Sequence, residues 1–249
     1  MRVNPGIVPG FFTMANMFCG FFSALMAAQD RFLVASWLIV AAAIWDTLDG
    51  KLARFTGASS SFGEQYDSMA DVVSFGLAPS MLAYFVFFEQ WGTTGVFLSF
   101  IPLVFGSIRL ARFNVRLGDA APPYFEGLPI PAAASSIAAF VMFNLEFWDH
   151  LRFSKIFLGV IILVSLLMIS AVRYEKMPRF SMRGGRAHRL KILTVVVCTV
   201  LLFTLQEIVF IFLALGYVVS GPARVGWLLM TNRSDDAEDD DIEYEENNE

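Results

Sequence analysis

Residues 46–71 read DTLDGKLARFTGASSSFGEQYDSMAD, and long apolar runs lie on both sides of this stretch. It places four aspartates, Asp46, Asp49, Asp67 and Asp71, at or beside the ends of two apolar segments. A single carboxylate within a membrane span costs about 2.5–3.5 kcal/mol on insertion scales, so four of them need a compensating partner. Bound divalent cations are the simplest partner that would explain the cluster.

The composition indicates a membrane protein rather than a soluble domain. Of the 249 residues, 56% are hydrophobic and only 16% are charged, whereas a soluble domain carries about 25% charged residues. The net charge of −5 reflects the end of the chain, because ten of the 23 acidic residues lie in 235–249. We therefore predict one integral-membrane domain over 1–222 and a tail over 223–249 that is acidic and disordered from about 235.

The apolar runs predict an all-α polytopic helical bundle. We expect eight transmembrane helices, at 7–28, 32–54, 62–88, 95–113, 128–147, 156–172, 190–205 and 207–221. Seven spans result instead if Gln206 and Glu207 form a polar break within one tilted helix rather than a hairpin turn.

The distribution of basic residues orients these spans. With a cytoplasmic N-terminus, eight spans leave only Arg31, Arg152 and Lys155 outside and put the other 15 of 18 Lys and Arg residues inside. The positive-inside rule favours that arrangement. Both termini and the aspartates are then predicted to face the cytoplasm.

The spacing of the aspartates predicts a metal site. Asp46, Asp49, Gly50 and Ala53 share one face of a helix, and Gly63, Asp67 and Asp71 repeat every four residues on the next span. Carboxylate ligands without His or Cys favour Mg²⁺ or Mn²⁺, and four of them suit two cations about 3.5–4 Å apart. An ion-coupled membrane carrier could also use such carboxylates, so spacing alone leaves both hypotheses open.

The full pattern, D-x2-D-G-x2-A-R-x8-G-x3-D-x3-D, resembles the signature of the CDP-alcohol phosphatidyltransferase family at every fixed position. Three further runs resemble the phosphatidylserine synthases of that family: DVVSFGLAP (71–79), RLARFN (109–114) and GLPIPAAA (127–134). A weaker similarity lies in TMANMFCGF (13–21). The resemblance extends over about 7–222.

The resemblance implies a six-helix catalytic core that uses two divalent cations, Mg²⁺ or Mn²⁺. It places Asp46, Asp49 and Asp67 on one ion and Asp46, Asp67 and Asp71 on the other. It makes Asp71 the candidate base, with a role as metal ligand alone as the alternative. It also implies that CDP lies against a nucleotide-binding set formed by Gly50, Ala53, Arg54 and Gly63. For the three small residues of that set, ordinary helix packing is the alternative.

The implied substrates are CDP-diacylglycerol and L-serine in a cytoplasmic membrane, and the implied assembly is a homodimer. A serine carboxylate calls for a fixed guanidinium, which makes Arg109 and Arg112 acceptor-site candidates, with Asn114 nearby. Topological anchoring by arginines is the alternative. Membrane lipids are expected partners, and no nucleic-acid partner is expected. Within the family, phosphatidylglycerophosphate or archaetidylserine synthesis remains open.

Overall fold

The computed structural model describes residues 7–56, 61–116, 124–148, 153–175 and 206–231, and these are mostly helical. The α-helices are α1 (Ile7–Ala27), α2 (Phe32–Thr56), α3 (Ser61–Asp71), α4 (Ala78–Ala83), α5 (Gly92–Arg116), α6 (Ile130–Trp148), α7 (Ser154–Ile169) and α8 (Gln206–Thr231). Two π-helices (Val72–Leu77 and Tyr84–Phe88), a 3-10 turn (Glu89–Trp91) and two strands, β1 (Tyr124–Glu126) and β2 (Arg173–Glu175), complete the described elements.

Helices α1 and α2 form an antiparallel hairpin at the start of the fold. The chain turns tightly after α1, where Asp30 has a φ of 58° and Arg31 N–H donates to Met26 O at 2.9 Å. The two helices pack closely because small residues lie between them, and Ala27, Ala35 and Ala42 are fully buried. This hairpin places the beginning of α1 beside the aspartate-bearing end of α2.

The segment from α3 to the 3-10 turn is one helical run with two π-helical stretches. The first stretch begins directly after Asp71, and Ala78 N–H bonds to Val73 O, five residues back. Pro79 follows and has no N–H with which to continue an i to i−4 ladder. π-Helical turns of this kind are rare and occur often at functional sites.

Four candidate membrane spans are long and apolar enough within the described residues: Gly10–Ala27, Phe32–Leu52, Phe62–Val115 and Ile130–Trp148. The third covers 54 residues, whereas one crossing needs about 20. It bends at Gly92, where φ is 57° and ψ is −136°, and α5 packs back against α4 and both π-helices. Its two arms correspond to the predicted spans 62–88 and 95–113.

The remaining predicted spans fall partly on described helices. Predicted span 128–147 corresponds to α6, 156–172 to the shorter α7 and 207–221 to α8. Predicted span 190–205 lies outside the described residues, as does the predicted tail from 232 onward, whereas α8 continues into the beginning of that tail, as far as Thr231. Large exposed apolar side chains, among them Phe18, Phe97 and Phe212, fit a surface that contacts lipid. These features agree with an integral membrane protein built from helices.

Helix α6 lies at the centre of the bundle. It packs against α2, α7 and α8, and Ile137, Ala138, Val141 and Met142 are almost completely buried. Phe157 of α7 stacks between neighbours of this core, with ring centroids 4.6 Å from Phe87 and 5.1 Å from Phe140. Because α6 contacts α2, the first π-helix and α4, it holds these elements in fixed positions relative to one another.

The all-α prediction omitted one feature, a short β-ribbon. Strands β1 and β2 pair antiparallel, with Phe125 opposite Tyr174, and Gly127 N–H donates to Val172 O at 2.8 Å. Gly127 has a φ of 72° and lies against the end of α7, so a side chain there would be strained and crowded. Tyr174 then joins the ribbon to α8 by donating a hydrogen bond to Val218 O at 3.0 Å.

Candidate active site

Three of the four aspartates meet in one cluster. Asp46 on α2 and Asp67 and Asp71 on α3 each offer a carboxylate oxygen, and these oxygens lie within 4.8 Å of one another. The carboxylates predicted from the sequence to line one face of each helix therefore come together at this point. Mg²⁺ binds oxygen at about 2.0–2.1 Å, so two ligands of one ion lie at most about 4.2 Å apart. The cluster is thus close to the spacing that a divalent cation requires.

Asp49 lies beside this cluster and is held from α1. Its Oδ2 accepts a hydrogen bond from the Thr13 hydroxyl. Its Oδ1 is buried and has no hydrogen-bond partner among the described residues, and the same is true of Asp67 Oδ1. Only 6% of Asp49 is exposed. Buried carboxylate oxygens without donors are unfavourable unless a cation or ligand contacts them.

Asp71 is positioned by a second residue of α1. Asn16 Nδ2 donates to Asp71 Oδ1 at 3.1 Å, and Ser74 Oγ donates to the Asn16 carbonyl at 2.8 Å. Gly20 permits this close approach, since a Cβ there would overlap the Ser74 backbone. Thr13, Asn16 and Ser74 were not predicted from the sequence as site residues. They lie in the stretches 13–21 and 71–79, which resemble the family.

The balance of charge around Asp71 favours bound cations. Its electrostatic neighbours among the described residues are two repelling carboxylates, Asp46 and Asp67, and one attracting guanidinium, Arg109. One positive charge does not offset three clustered carboxylates, of which Asp71 is buried and the other two are half-buried. The orphaned oxygens of Asp49 and Asp67, the all-oxygen donor set and this deficit of positive charge together fit Mg²⁺ or Mn²⁺.

The three acceptor-site candidates have different surroundings. Arg109 on α5 interacts electrostatically with Asp71 and Tyr217, and its Nε is buried with no hydrogen-bond partner among the described residues. Asn114 Nδ2 donates to Ser68 Oγ at 3.0 Å, one position from Asp67 on α3. Arg112 instead donates from Nη1 to Ile169 O at 2.7 Å, at the carboxyl end of α7. Arg109 is therefore the candidate with an electrostatic interaction with a cluster aspartate.

The structure describes part of the predicted nucleotide-binding set. Gly50 is exposed, and a Cβ at that position would meet nothing within 4 Å, so its surface is open to a ligand. Gly63 is also exposed, at the start of α3. Ala53 and Arg54 belong to the last turns of α2, and their side chains lie outside the described residues.

Comparison with known proteins places this site in a family context. The model of the CDP-alcohol phosphatidyltransferase family matches residues 6–221. A protein of Helicobacter pylori (strain J99), named CDP-diacylglycerol–serine O-phosphatidyltransferase, is 40% identical over 181 residues, which are 72% of this chain and 76% of that protein. The protein of the same name from Mycobacterium leprae is 36% identical over 185 residues, 72% of this chain and 61% of that one. An archaetidylserine synthase of Methanothermobacter thermautotrophicus is 34% identical over 171 residues, 68% of this chain and 70% of that one.

Proposed function

This chain belongs to the CDP-alcohol phosphatidyltransferase family, and from that premise we propose that it transfers the phosphatidyl group of CDP-diacylglycerol to L-serine. The products would be phosphatidylserine and CMP. The observation that carries the proposal is the identity of up to 40% to proteins named for this reaction, together with the clustered carboxylates of Asp46, Asp67 and Asp71. The carrier hypothesis loses its support, because membership in an enzyme family accounts for the same carboxylates.

The four aspartates would hold two divalent cations, Mg²⁺ or Mn²⁺. Asp46, Asp49 and Asp67 would bind one ion, and Asp46, Asp67 and Asp71 the other. The second of these sets is the one whose oxygens lie within 4.8 Å of one another. When bound, the cations would neutralise the diphosphate and the charge that develops on the departing CMP.

The protein's own groups would orient the reactants and move one proton. Gly50, Ala53, Arg54 and Gly63 would bind the nucleotide. Asp71 would accept the proton of the serine hydroxyl. The hydroxyl oxygen then forms a bond to the phosphorus of the phosphatidyl group, and the bond from that phosphorus to the CMP oxygen breaks.

Arg109 is the best-placed residue to bind the serine carboxylate. Its side chain is half-buried and interacts electrostatically with Asp71, and its buried Nε has no hydrogen-bond partner among the described residues. A guanidinium can bind a carboxylate through two parallel hydrogen bonds. Asn114 of α5 would contribute to the serine site beside α3, where it donates a hydrogen bond to Ser68. Arg112 is less suited to this role, because part of its guanidinium already binds the end of α7.

We place the enzyme in the cytoplasmic membrane with eight spans, both termini and the active site facing the cytoplasm. The distribution of Lys and Arg supports this orientation. The catalytic domain would extend over 1–222, followed by the tail over 223–249, and the enzyme would act as a homodimer. A site at the interface between membrane and cytoplasm suits a donor with acyl chains in lipid and a nucleotide in water.

The similarity to an archaetidylserine synthase supports a second candidate that differs only in the donor lipid. Purified protein should be given CDP-diacylglycerol or its ether-lipid analogue CDP-archaeol, Mn²⁺ or Mg²⁺, and one acceptor at a time. We expect CMP release with serine and not with glycerol 3-phosphate or inositol phosphate, and a higher kcat/KM for CDP-diacylglycerol. Release with glycerol 3-phosphate but not serine would refute the assignment of the acceptor.

A further inference from the structure

Helix α1 carries no acidic ligand, yet it contributes two buried donors to the carboxylates. Thr13 and Asn16 are one turn apart on the same face of α1 and are 4% and 0% exposed. Thr13 donates to Asp49 on α2, and Asn16 donates to Asp71 on α3. One face of one helix therefore contacts a carboxylate from each of the two helices that form the cluster.

The two hydrogen bonds leave a defined oxygen available on each carboxylate. Thr13 occupies Asp49 Oδ2, and Asp49 Oδ1 remains buried without a partner among the described residues. Asn16 occupies Asp71 Oδ1, which leaves Oδ2 for another contact. Only the amide nitrogen of Asn16 can donate to a carboxylate, so chemistry fixes the orientation of this side chain.

The position of Asn16 is itself fixed. Ser74 Oγ donates to the Asn16 carbonyl, and Gly20, one turn further along α1, lies directly against the Ser74 backbone. The arrangement also buries Asn16 Oδ1 with no hydrogen-bond partner among the described residues. A side chain retained for stability alone would be expected to satisfy its acceptor, so this geometry favours a role in the site.

We propose that Thr13 and Asn16 are positioning residues that orient Asp49 and Asp71 for divalent cations. This inference rests on the proposed function and on its metal site. Each donor fixes one carboxylate oxygen and directs the other towards the cations, as the neighbours of metal ligands commonly do. Thr13 and Asn16 would act through the carboxylates that they contact.

The experiment measures Mn²⁺ affinity by titration calorimetry on the full-length protein in detergent, together with the unfolding temperature. Thr13→Val removes the hydroxyl at nearly constant shape, and Asn16→Leu removes the amide, with Asn16→Ala as the substitute if Leu is not accommodated. Thr13→Ser keeps the hydroxyl. Ser23→Ala is the matched control, because Ser23 lies on α1, is fully buried and donates a hydrogen bond to Ala35 O at 2.8 Å, away from the aspartates.

We expect Thr13→Val and Asn16→Leu to weaken Mn²⁺ binding by about 10- to 100-fold, the range for partners of metal ligands. Thr13→Ser should keep the wild-type Mn²⁺ affinity. Ser23→Ala should lower the unfolding temperature and leave the Mn²⁺ affinity unchanged. Unchanged Mn²⁺ affinity in the Thr13 and Asn16 variants would overturn the inference, and so would a wild-type protein that binds no Mn²⁺. Weakened Mn²⁺ binding in a protein that releases no CMP with any acceptor would support the inference and refute the proposed function.

Discussion

Replacing Gly20 with alanine tests how closely the active site depends on the position of α1. A Cβ at Gly20 would lie 2.5 Å from Ser74 Oγ and 2.8 Å from Ser74 Cβ, whereas ordinary contacts begin at 3.4 Å. Relieving this overlap requires α1 and the first π-helix to separate by about 1 Å, because packed helices have no spare volume between them.

The same displacement would break a contact of Asp71, the proposed base. Asn16 lies four residues before Gly20, on the same face of α1, and its Nδ2 is 3.1 Å from Asp71 Oδ1. A separation larger by about 1 Å exceeds the range of a hydrogen bond. Misplacement on this scale lowers catalytic rates by about 100-fold, and overpacking of this kind costs about 1–3 kcal/mol of stability.

The assay compares kcat for CMP release and the unfolding temperature of Gly20→Ala with those of Gly10→Ala. Gly10 is on the same helix, and a Cβ there would meet nothing within 4 Å, so this control should keep wild-type activity. If Gly20→Ala folds and retains kcat within about threefold of wild type, the close packing of α1 does not position Asp71. Equal loss of activity in both variants would also refute the reasoning.

Three further substitutions test separate parts of the site and fold. Arg109→Ala should raise the serine KM at least tenfold more than the donor KM, about 1.4 kcal/mol of binding energy, and equal effects on both substrates would refute its role. Gly50→Ala should raise the donor KM, while the free energy of unfolding stays the same or rises by about 0.5–1 kcal/mol. Gly159→Ala is the control, because Gly159 also has open space around it, and it should leave the kinetics with both substrates unchanged. Burial and, secondarily, Tyr217 raise the pKa of Tyr174 from 10.0 to about 12. The neutral phenol therefore adds stability below pH 10, which is lost as pH rises through 12. Tyr174→Phe should lower stability by about 1 kcal/mol below pH 10 and abolish that pH dependence, as measured by chemical unfolding.

The carboxylate cluster could be predicted from the sequence because its geometry is local. Spacings of three and four residues place Asp46 and Asp49 on one face of a helix, and Asp67 and Asp71 on one face of the next. A short connection between the helices then brings the two faces together. The prediction needed only helical periodicity and the high energy of an isolated carboxylate in a membrane.

The support from α1 could not be derived in the same way. Thr13 lies 36 residues from its partner Asp49, and Asn16 lies 55 residues from Asp71. A hydroxyl and an amide within an apolar helix can bond to their own backbone, to a neighbouring helix or to a ligand. Their partners depend on how α1 packs, which no local spacing specifies.

The β-ribbon and the π-helices could not be predicted from the sequence either. Each strand has three residues, too few for an alternating pattern to stand out, and their pairing joins distant parts of the chain. The π-helical turn after Asp71 packs against α1 and α5, which are contacts that local sequence does not specify. The predicted acceptor role of Arg112 rests on its spacing from Arg109, and its hydrogen bond to Ile169 O joins residues 57 positions apart, which spacing does not specify.

The central claim is that the four aspartates hold cations that enable phosphatidyl transfer to serine. Its most direct test follows labelled serine into lipid and CMP into water in one reaction, using metal-stripped wild type and Asp46→Asn, with Mn²⁺ added back. We predict one phosphatidylserine for each CMP in wild type only after Mn²⁺ is restored, and at least about 1,000-fold less of both products with Asp46→Asn. Phosphatidylserine formed at the wild-type rate without divalent cations, or by Asp46→Asn with them, would contradict the account.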